Sequence, residues 1–301
     1  MTAPSTSRSS LAPFLVLAVG VAVFSGMDAL MKGLTLAMGA YNAVFWRLLI
    51  AVPISALIYF STRKGWPTRT TLRRHLLRGA VNAASAVTFF FGLARMPIAE
   101  AITLSFVAPI IAVYLAAALL GEKVGRRAIL ASVLSFIGVL VIVWARLGQP
   151  HGDRSIWGVA AILAGAALYA WNLILLRQQV QVAGPREVAF FQTFTVVIWL
   201  TAFAPFLAVV PPSAELPKLV ATAMLTIIAA LLFAWAYGRA EAQLLATLEY
   251  SALLWAALFG YLMFDEHVAV TTIAGAVLIV GGCVLAARAG RHPMSPAEAM
   301  V

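Results

Sequence analysis

The stretch Arg95–Val124, RMPIAEAITLSFVAPIIAVYLAAALLGEKV, returns at an offset of 144 as Arg239–Val268, RAEAQLLATLEYSALLWAALFGYLMFDEHV. In that register Arg95 falls on Arg239, Thr103 on Thr247, Leu104 on Leu248, Ala112 on Ala256, Glu122 on Glu266 and Val124 on Val268. Apolar coincidences are cheap in such sequence, so the two charged pairs, each at the end of an apolar run, carry the comparison. Further on, Ile129 falls on Ile273 and Gly138 on Gly282. One extra residue aligns the earlier part, bringing Phe24 onto Tyr169, Lys32 onto Arg177, Phe45 onto Phe190 and Trp46 onto Phe191. The chain reads as two copies of one unit.

Each copy holds five apolar runs. A helix that crosses a bilayer needs about 20 mainly apolar residues. Ten such runs lie near 12–32, 41–60, 75–95, 98–121, 127–145, 156–177, 187–209, 217–239, 241–264 and 268–288. Their length and the lack of period-two alternation predict helices rather than a barrel, the two ways in which lipid lets a backbone satisfy itself. Composition agrees: of 301 residues 63% are hydrophobic and 11% charged, against about 45–50% and about 25% in soluble domains. A soluble globule would lack a polar exterior. The expectation is an all-α polytopic membrane protein. Because five is odd, the second copy crosses the membrane in the opposite sense, an inverted-topology repeat of the kind on which secondary transporters rock.

The predicted organisation is a cytoplasmic tail over 1–11, a first repeat over 12–146, an extracytoplasmic linker over 147–154, a second repeat over 155–288 and a cytoplasmic tail over 289–301. The first run, preceded by Arg8, continues past a signal-peptide core to Asp28 and Lys32 without a small-residue cleavage site, and reads as a retained helix. Lys and Arg set the orientation. With the N-terminus inside, fifteen fall on the cytoplasmic side and five on the other, leaving Arg47 within a helix. The excess places both termini in the cytoplasm, in a bacterial-type inner membrane. The net charge of +10 sits in short gaps between apolar runs, which argues against nucleic acid as a partner. The lone Cys283 reads as a small core residue.

Ten helices as five plus five, Pro109 through Leu120-Gly121-Glu122-Lys123 closing the fourth, and Leu248-Glu249-Tyr250 through Phe264-Asp265-Glu266 closing the ninth, resemble the EamA-type drug/metabolite transporter superfamily. The resemblance covers nearly the whole chain. It implies a single-chain carrier exporting small metabolites, with a cavity lined mainly by the first, third, fourth, sixth, eighth and ninth helices. The aromatic-rich interior looks most like the aromatic amino-acid exporter branch. Asp265, where the first copy has Gly121, departs from the pattern.

Ionisable groups inside a membrane helix are functional candidates by default, and each has a plainer reading beside it. Asp28 and Lys32 could be an i, i+4 pair on one helix face. Arg47 could snorkel to the outer interface. Glu249 could be a structural carboxylate bonded to a neighbouring helix, a proton-carrying coupling group, or a contact for a substrate ammonium. Asn82, Ser85 and Thr88, at i, i+3 and i+6 with Arg78 and Phe89 at their flanks, form a polar stripe that either binds a neighbouring helix or faces a cavity. Trp171, with Tyr169 and Asn172 nearby, lies six residues before Arg177, about 9 Å at helical rise, deeper than an aromatic belt. Tyr250 and its counterpart Phe106 fall near the midplane, where rings pack the core or stack on ligands. Pro53, Pro109 and Pro205 interrupt helices as hinges or as fixed kinks.

The candidate substrate-binding set is thus Asn82, Ser85, Phe106, Trp171 and Tyr250, with Glu249 as coupling candidate and Pro109 as hinge. No catalytic, metal or cofactor site is expected: His75, His151, His267 and His292 lie in or beside connecting segments without a second ligand at metal-binding spacing, and no phosphate-binding loop is present. A membrane-embedded enzyme and a channel are the alternatives outside the carrier class. Within it, amino acids, aromatic ones included, are the expected cargo, with amphipathic drugs or organic cations as the alternative. Small-molecule substrate and lipid bilayer are the expected partners, and a monomer is among the states left open.

Overall fold

Proline and glycine punctuate the chain where the helices start and stop. In the computed structural model, which describes residues 11–61, 65–121, 124, 126–147, 152–239, 245 and 248–287, every regular element is helical. The helices are α1 (Ala12–Met38), α2 (Ala40–Phe60), α3 (Arg69–Leu93), α4 (Ile98–Ser105), α5 (Ala108–Leu120), α6 (Arg126–Leu147), α7 (Gly152–Gln179), α8 (Pro185–Leu207), α9 (Leu216–Tyr237), α10 (Ala252–Phe264) and α11 (Val270–Ala287). Seven spans are long and apolar enough to cross a membrane, with α4 and α5 counted together, and three shorter apolar helices, Ile129–Ala145, Ala252–Phe264 and Val270–Leu285, fall on the remaining sequence runs. The two tails apart from Leu11, the linker residues 148–151, Glu122, Lys123 and Thr247 lie outside the described residues.

Proline occupies the first turn of α1, α5, α8 and α9, where its missing N–H costs nothing. Gly39, with φ of 83°, turns α1 into α2, a backbone setting that glycine adopts without a Cβ penalty. Thr68 caps α3 by accepting the Thr71 N–H at 3.2 Å.

The repeat persists in three dimensions at the same offset of 144. The fourth span breaks after α4 at Phe106–Val107 and resumes at Ala108; the ninth breaks at Tyr250–Ser251 and resumes at Ala252. Both breaks are tightened by i→i−3 bonds, Val107 N–H to Leu104 O at 3.2 Å and Ser251 N–H to Leu248 O at 2.9 Å. Both resumed helices end on a left-handed residue, Gly121 at φ 72° and Asp265 at φ 54°. The departure at Asp265 is therefore no structural departure, since a short polar side chain tolerates the left-handed region better than most. Pro109 does not interrupt a continuous helix. It sits in the first turn of α5, and its counterpart Leu253 starts α10 without a proline, so the break belongs to the repeat and not to that ring.

Close helix approach is bought with small residues. On the α6–α11 seam a Cβ placed on Gly138 would lie 2.8 Å from the Gly275 carbonyl oxygen, and on the α3–α7 seam one on Gly92 would lie 2.8 Å from that of Gly158. Backbone cannot step aside as a side-chain tip can. Gly138→Val should therefore cost at least about 2–3 kcal/mol by overpacking, read as a lower melting temperature in detergent, whereas Gly184→Ala, with nothing within 4 Å, should leave it unchanged.

Candidate functional site

The two helix breaks meet. Phe106 and Tyr250 lie edge to face with ring centroids 5.2 Å apart and planes at 87°, and the Phe106 carbonyl accepts the Cys283 thiol at 3.0 Å. A break frees carbonyls that an intact helix would bond; here α11 supplies a donor. Cys283 is buried, as its apolar run implied. Just before the second break, Glu249 accepts the Tyr237 hydroxyl from the end of α9. Tyr169 on α7 lies within electrostatic reach of both Glu249 and Arg78, so the structure brings Phe106, Tyr250, Glu249 and Tyr169 to one interior region.

The polar stripe on α3 divides. Ser85 is buried and donates to the Gly165 carbonyl at 3.0 Å, and Thr88 returns its hydroxyl to Ala84 O at 2.8 Å, so both serve helix packing. Asn82, half-buried, bonds no described residue. Trp171 is 38% exposed and continues an exposed face of α7 through Trp157, Ala160, Ala164 and Ala167, while its neighbour Asn172 is buried. The structure does not bring Trp171 to the others. Among the described residues, one cavity of about 140 Å³ lies beside Glu100, His267 and Thr272, and an apolar groove of about 390 Å³ runs between α5 and α6, lined by Val107, Ile110, Tyr114 and Phe136. Neither touches Asn82, Ser85, Phe106, Trp171 or Tyr250.

Asp28, Lys32 and Arg47 are held otherwise than their local sequence suggests. Lys32 pairs with Glu266 at the far end of the ninth span, not with Asp28 one turn away, and also donates to the Met96 carbonyl at 2.7 Å. The other Glu266 oxygen accepts the Ile98 N–H at 2.8 Å, capping α4. Arg47 does not snorkel. It is buried, donating to Met27 Sδ at 3.1 Å and to Thr226 Oγ1 at 3.4 Å, with the Phe90 ring 5.5 Å away.

The sequence named Arg78 and Asn172 separately, and the structure joins them in one polar assembly. Arg78 is fully buried in α3 and donates from Nε to Asn172 Oδ1 at 3.1 Å, from Nη1 to Gln179 Oε1 at 2.8 Å and from Nη2 to Gln192 Oε1. His75, also inside α3 rather than in a connecting segment, meets Gln179 through Nδ1 and Glu187 at 3.1 Å through Nε2. The i, i+3 spacing of His75 and Arg78 was the only signal available, and it needed α7 and α8 to acquire meaning. Among the described residues no group of three His, Cys, Asp or Glu could hold a metal ion.

An interior built from two equivalent broken helices, with polar groups pairing across the halves, suits a solute passing between them rather than a bond being cut. The EamA-like transporter family matches residues 12–144 and again residues 156–288. The chain belongs to that family. The pseudopaline exporter of Pseudomonas aeruginosa strain UCBPP-PA14 is 28% identical over 272 residues, spanning 88% of this chain and 92% of the relative. A riboflavin transporter of Brucella anthropi is 25% identical over 246 residues, spanning 79% and 84%. An S-adenosylmethionine uptake transporter of Rickettsia prowazekii is 22% identical over 255 residues, spanning 84% of each. A crystal structure of a protein 20% identical covers 93% of this chain and 99% of its own at a TM-score of 0.60, which shows a shared fold. This EamA-like chain is thus a multi-pass membrane transporter of small molecules and not an enzyme. None of the three relatives is named for aromatic amino acids, so the family is shown and the aromatic amino-acid branch is not.

Proposed function

We propose that this chain is a gradient-driven secondary carrier that exports small metabolites, amino acids first among them and aromatic ones included, from the cytoplasm across a bacterial-type inner membrane. The observation that carries the reading is the pair of helix breaks at residues 106–107 and 250–251, equivalent in the two halves and in ring contact. Broken helices at equivalent places in inverted repeats are where such carriers bind their cargo and coupling ions. Residues 12–146 and 155–288 form the two five-helix repeats, ten crossings in all, with both termini cytoplasmic. Relatives named for pseudopaline, riboflavin and S-adenosylmethionine, one an exporter and one an uptake system, support a small-metabolite cargo and leave direction to the gradient.

Asn82, Phe106 and Tyr250 are the lining this reading favours, the amide offering donor and acceptor among apolar walls. Ser85 shares α3 with Asn82 but faces the α3–α7 packing seam, and Trp171 lies on the exposed face of α7. Glu249 is the coupling candidate, held by Tyr237, and Pro109 lies at the break where a hinge would act. The test is counterflow in liposomes holding the purified protein, with no ATP and no net gradient: labelled amino acid should accumulate against unlabelled amino acid trapped inside, which a channel cannot achieve. Glu249→Gln keeps shape and hydrogen bonding without the charge, and should abolish the pH dependence of exchange while the protein stays monodisperse. Equal wild-type and variant rates at every pH would make Glu249 a structural carboxylate.

A further inference from the structure

We propose that Asp28 and Arg47 form a bipolar subsite that takes the ammonium and the carboxylate of one zwitterionic solute. The proposal rests on the carrier reading and supplies its substrate chemistry. Both side chains are inside the bundle, Asp28 at 3% exposure on α1 and Arg47 at 8% on α2. Each acts electrostatically on the other, yet they make no ion-pair contact. Asp28 accepts no hydrogen bond from a described residue, because Lys32, the cation one turn away, is taken by Glu266 and Met96.

Arg47 is equally short of partners. A guanidinium carries five N–H donors. Those of Arg47 find a thioether sulfur, a weak acceptor, a Thr hydroxyl at the limit of hydrogen bonding and an aromatic face, and its Nε has no partner. The other half of the molecule shows what a purely structural arginine gathers there. At the repeat offset of 145, Met27 corresponds to Asn172 and Arg47 to Gln192. In that second crossing of equivalent helices the buried cation, Arg78, is bonded to the amide oxygens of Asn172, Gln179 and Gln192. Around Arg47 the equivalent Met27 offers only sulfur. One crossing is saturated and the other is left with unspent donors beside an unspent carboxylate.

Desolvated charges demand hydrogen-bonded partners. A carboxylate supplies the two oxygens that a guanidinium fork fits, and an ammonium supplies three donors to Asp28. Because the two side chains sum to zero charge, a zwitterion satisfies both without bringing net charge into the membrane, whereas an anion or a cation alone would leave one. The chemistry therefore selects amino-carboxylic solutes over singly charged ones.

The experiment is counterflow by the full-length protein in liposomes, with L-phenylalanine and L-leucine, the amide of each, the corresponding acid without the amino group, and riboflavin as an uncharged solute. Wild type should exchange the zwitterions at least tenfold faster than either half-charged analogue. Arg47→Gln and Asp28→Asn should each lower zwitterion exchange at least tenfold, and Arg47→Lys, which keeps the charge without the fork, should lie between. Should Arg47→Gln not fold, the analogue series in wild type and Arg47→Lys decide. Wild-type exchange of zwitterion and analogues at one rate, or full exchange in either neutral variant, overturns the subsite. Exchange of riboflavin alone overturns the subsite and leaves the carrier standing. Exchange of no compound overturns both.

Discussion

Arg78→Ala should lower the melting temperature of the detergent-solubilised protein by about 10 °C and reduce the yield of monodisperse protein. Arg78 reaches Asn172 and Gln179 on α7 and Gln192 on α8 from its place on α3, so one side chain fastens three helices. Hydrogen bonds to a charged group contribute about 1.5–3 kcal/mol each in soluble proteins, while interhelical bonds in a bilayer average about 0.6 kcal/mol. Three bonds lie between about 2 and 9 kcal/mol. We expect about 4, because Asn172 and Gln179 are each only 1% exposed and water cannot readily replace the lost donor. At roughly 2–4 °C per kcal/mol for a large domain, that gives the stated fall. Replacing a buried charge by an apolar side chain is sometimes neutral when its partners leave too; here the amides stay behind. Arg78→Lys should recover only part of the loss, since an ammonium is a point donor and cannot span three acceptors as a fork does. A melting curve unchanged by Arg78→Ala would mean that the α3–α7–α8 crossing is held by packing alone.

The helices and the repeat were legible in the sequence, and of the two breaks only the neighbourhood of the first. Run length and the charged pairs at helix ends report on neighbours within a turn or two, and Pro109 marked the region of the first break. The second break, at Tyr250–Ser251, carried no local signal, because Leu253 stands where the first copy has proline. Asp265 looked like a departure only because sequence shows residue type and not backbone angle; its φ of 54° matches that of Gly121 in kind.

The site was less legible, for a physical reason. An ion pair is chosen by tertiary proximity, and Lys32 sits 234 residues from Glu266 along the chain but one turn from Asp28. The local pair looked natural and was not formed. Likewise Arg47 is seven residues inside α2, within reach of the interface by stem length, and only the crossing of α1, α3 and α9 shows that it stays in. Phe106 and Tyr250 could be paired in advance because the repeat itself relates them.

Glu266→Ala should be the most damaging single change at the opposite end of the bundle from Arg78. Its carboxylate does two jobs, pairing with Lys32 through one oxygen and accepting the Ile98 N–H through the other. Ile98 opens α4, where unpaired N–H groups and the helix dipole favour an anion. Gly260 makes room for this: a Cβ there would lie 2.8 Å from Glu266 Oε2. Exposed ion pairs contribute about 0–1 kcal/mol, but the Lys32 and Glu266 side chains are 5% and 16% exposed, so the buried case governs, and removing one partner of a buried pair costs about 3–5 kcal/mol. Lys32 would lose its carboxylate partner while keeping the Met96 carbonyl and the Phe264 ring, 5.1 Å from its Nζ. Glu266→Gln should cost less, since an amide oxygen still caps α4. The contact also joins α1 and α4 of the first repeat to the end of α10 in the second, so its loss should open that end. A cysteine introduced at Met96 should then react faster with a membrane-impermeant thiol reagent, against a low background from the buried Cys283. The deciding measurement is the double variant. Lys32→Ala with Glu266→Ala removes both charges of the pair and should melt higher than Glu266→Ala alone. A double variant as damaged as the sum of the two singles would mean that the two charges do not act on each other.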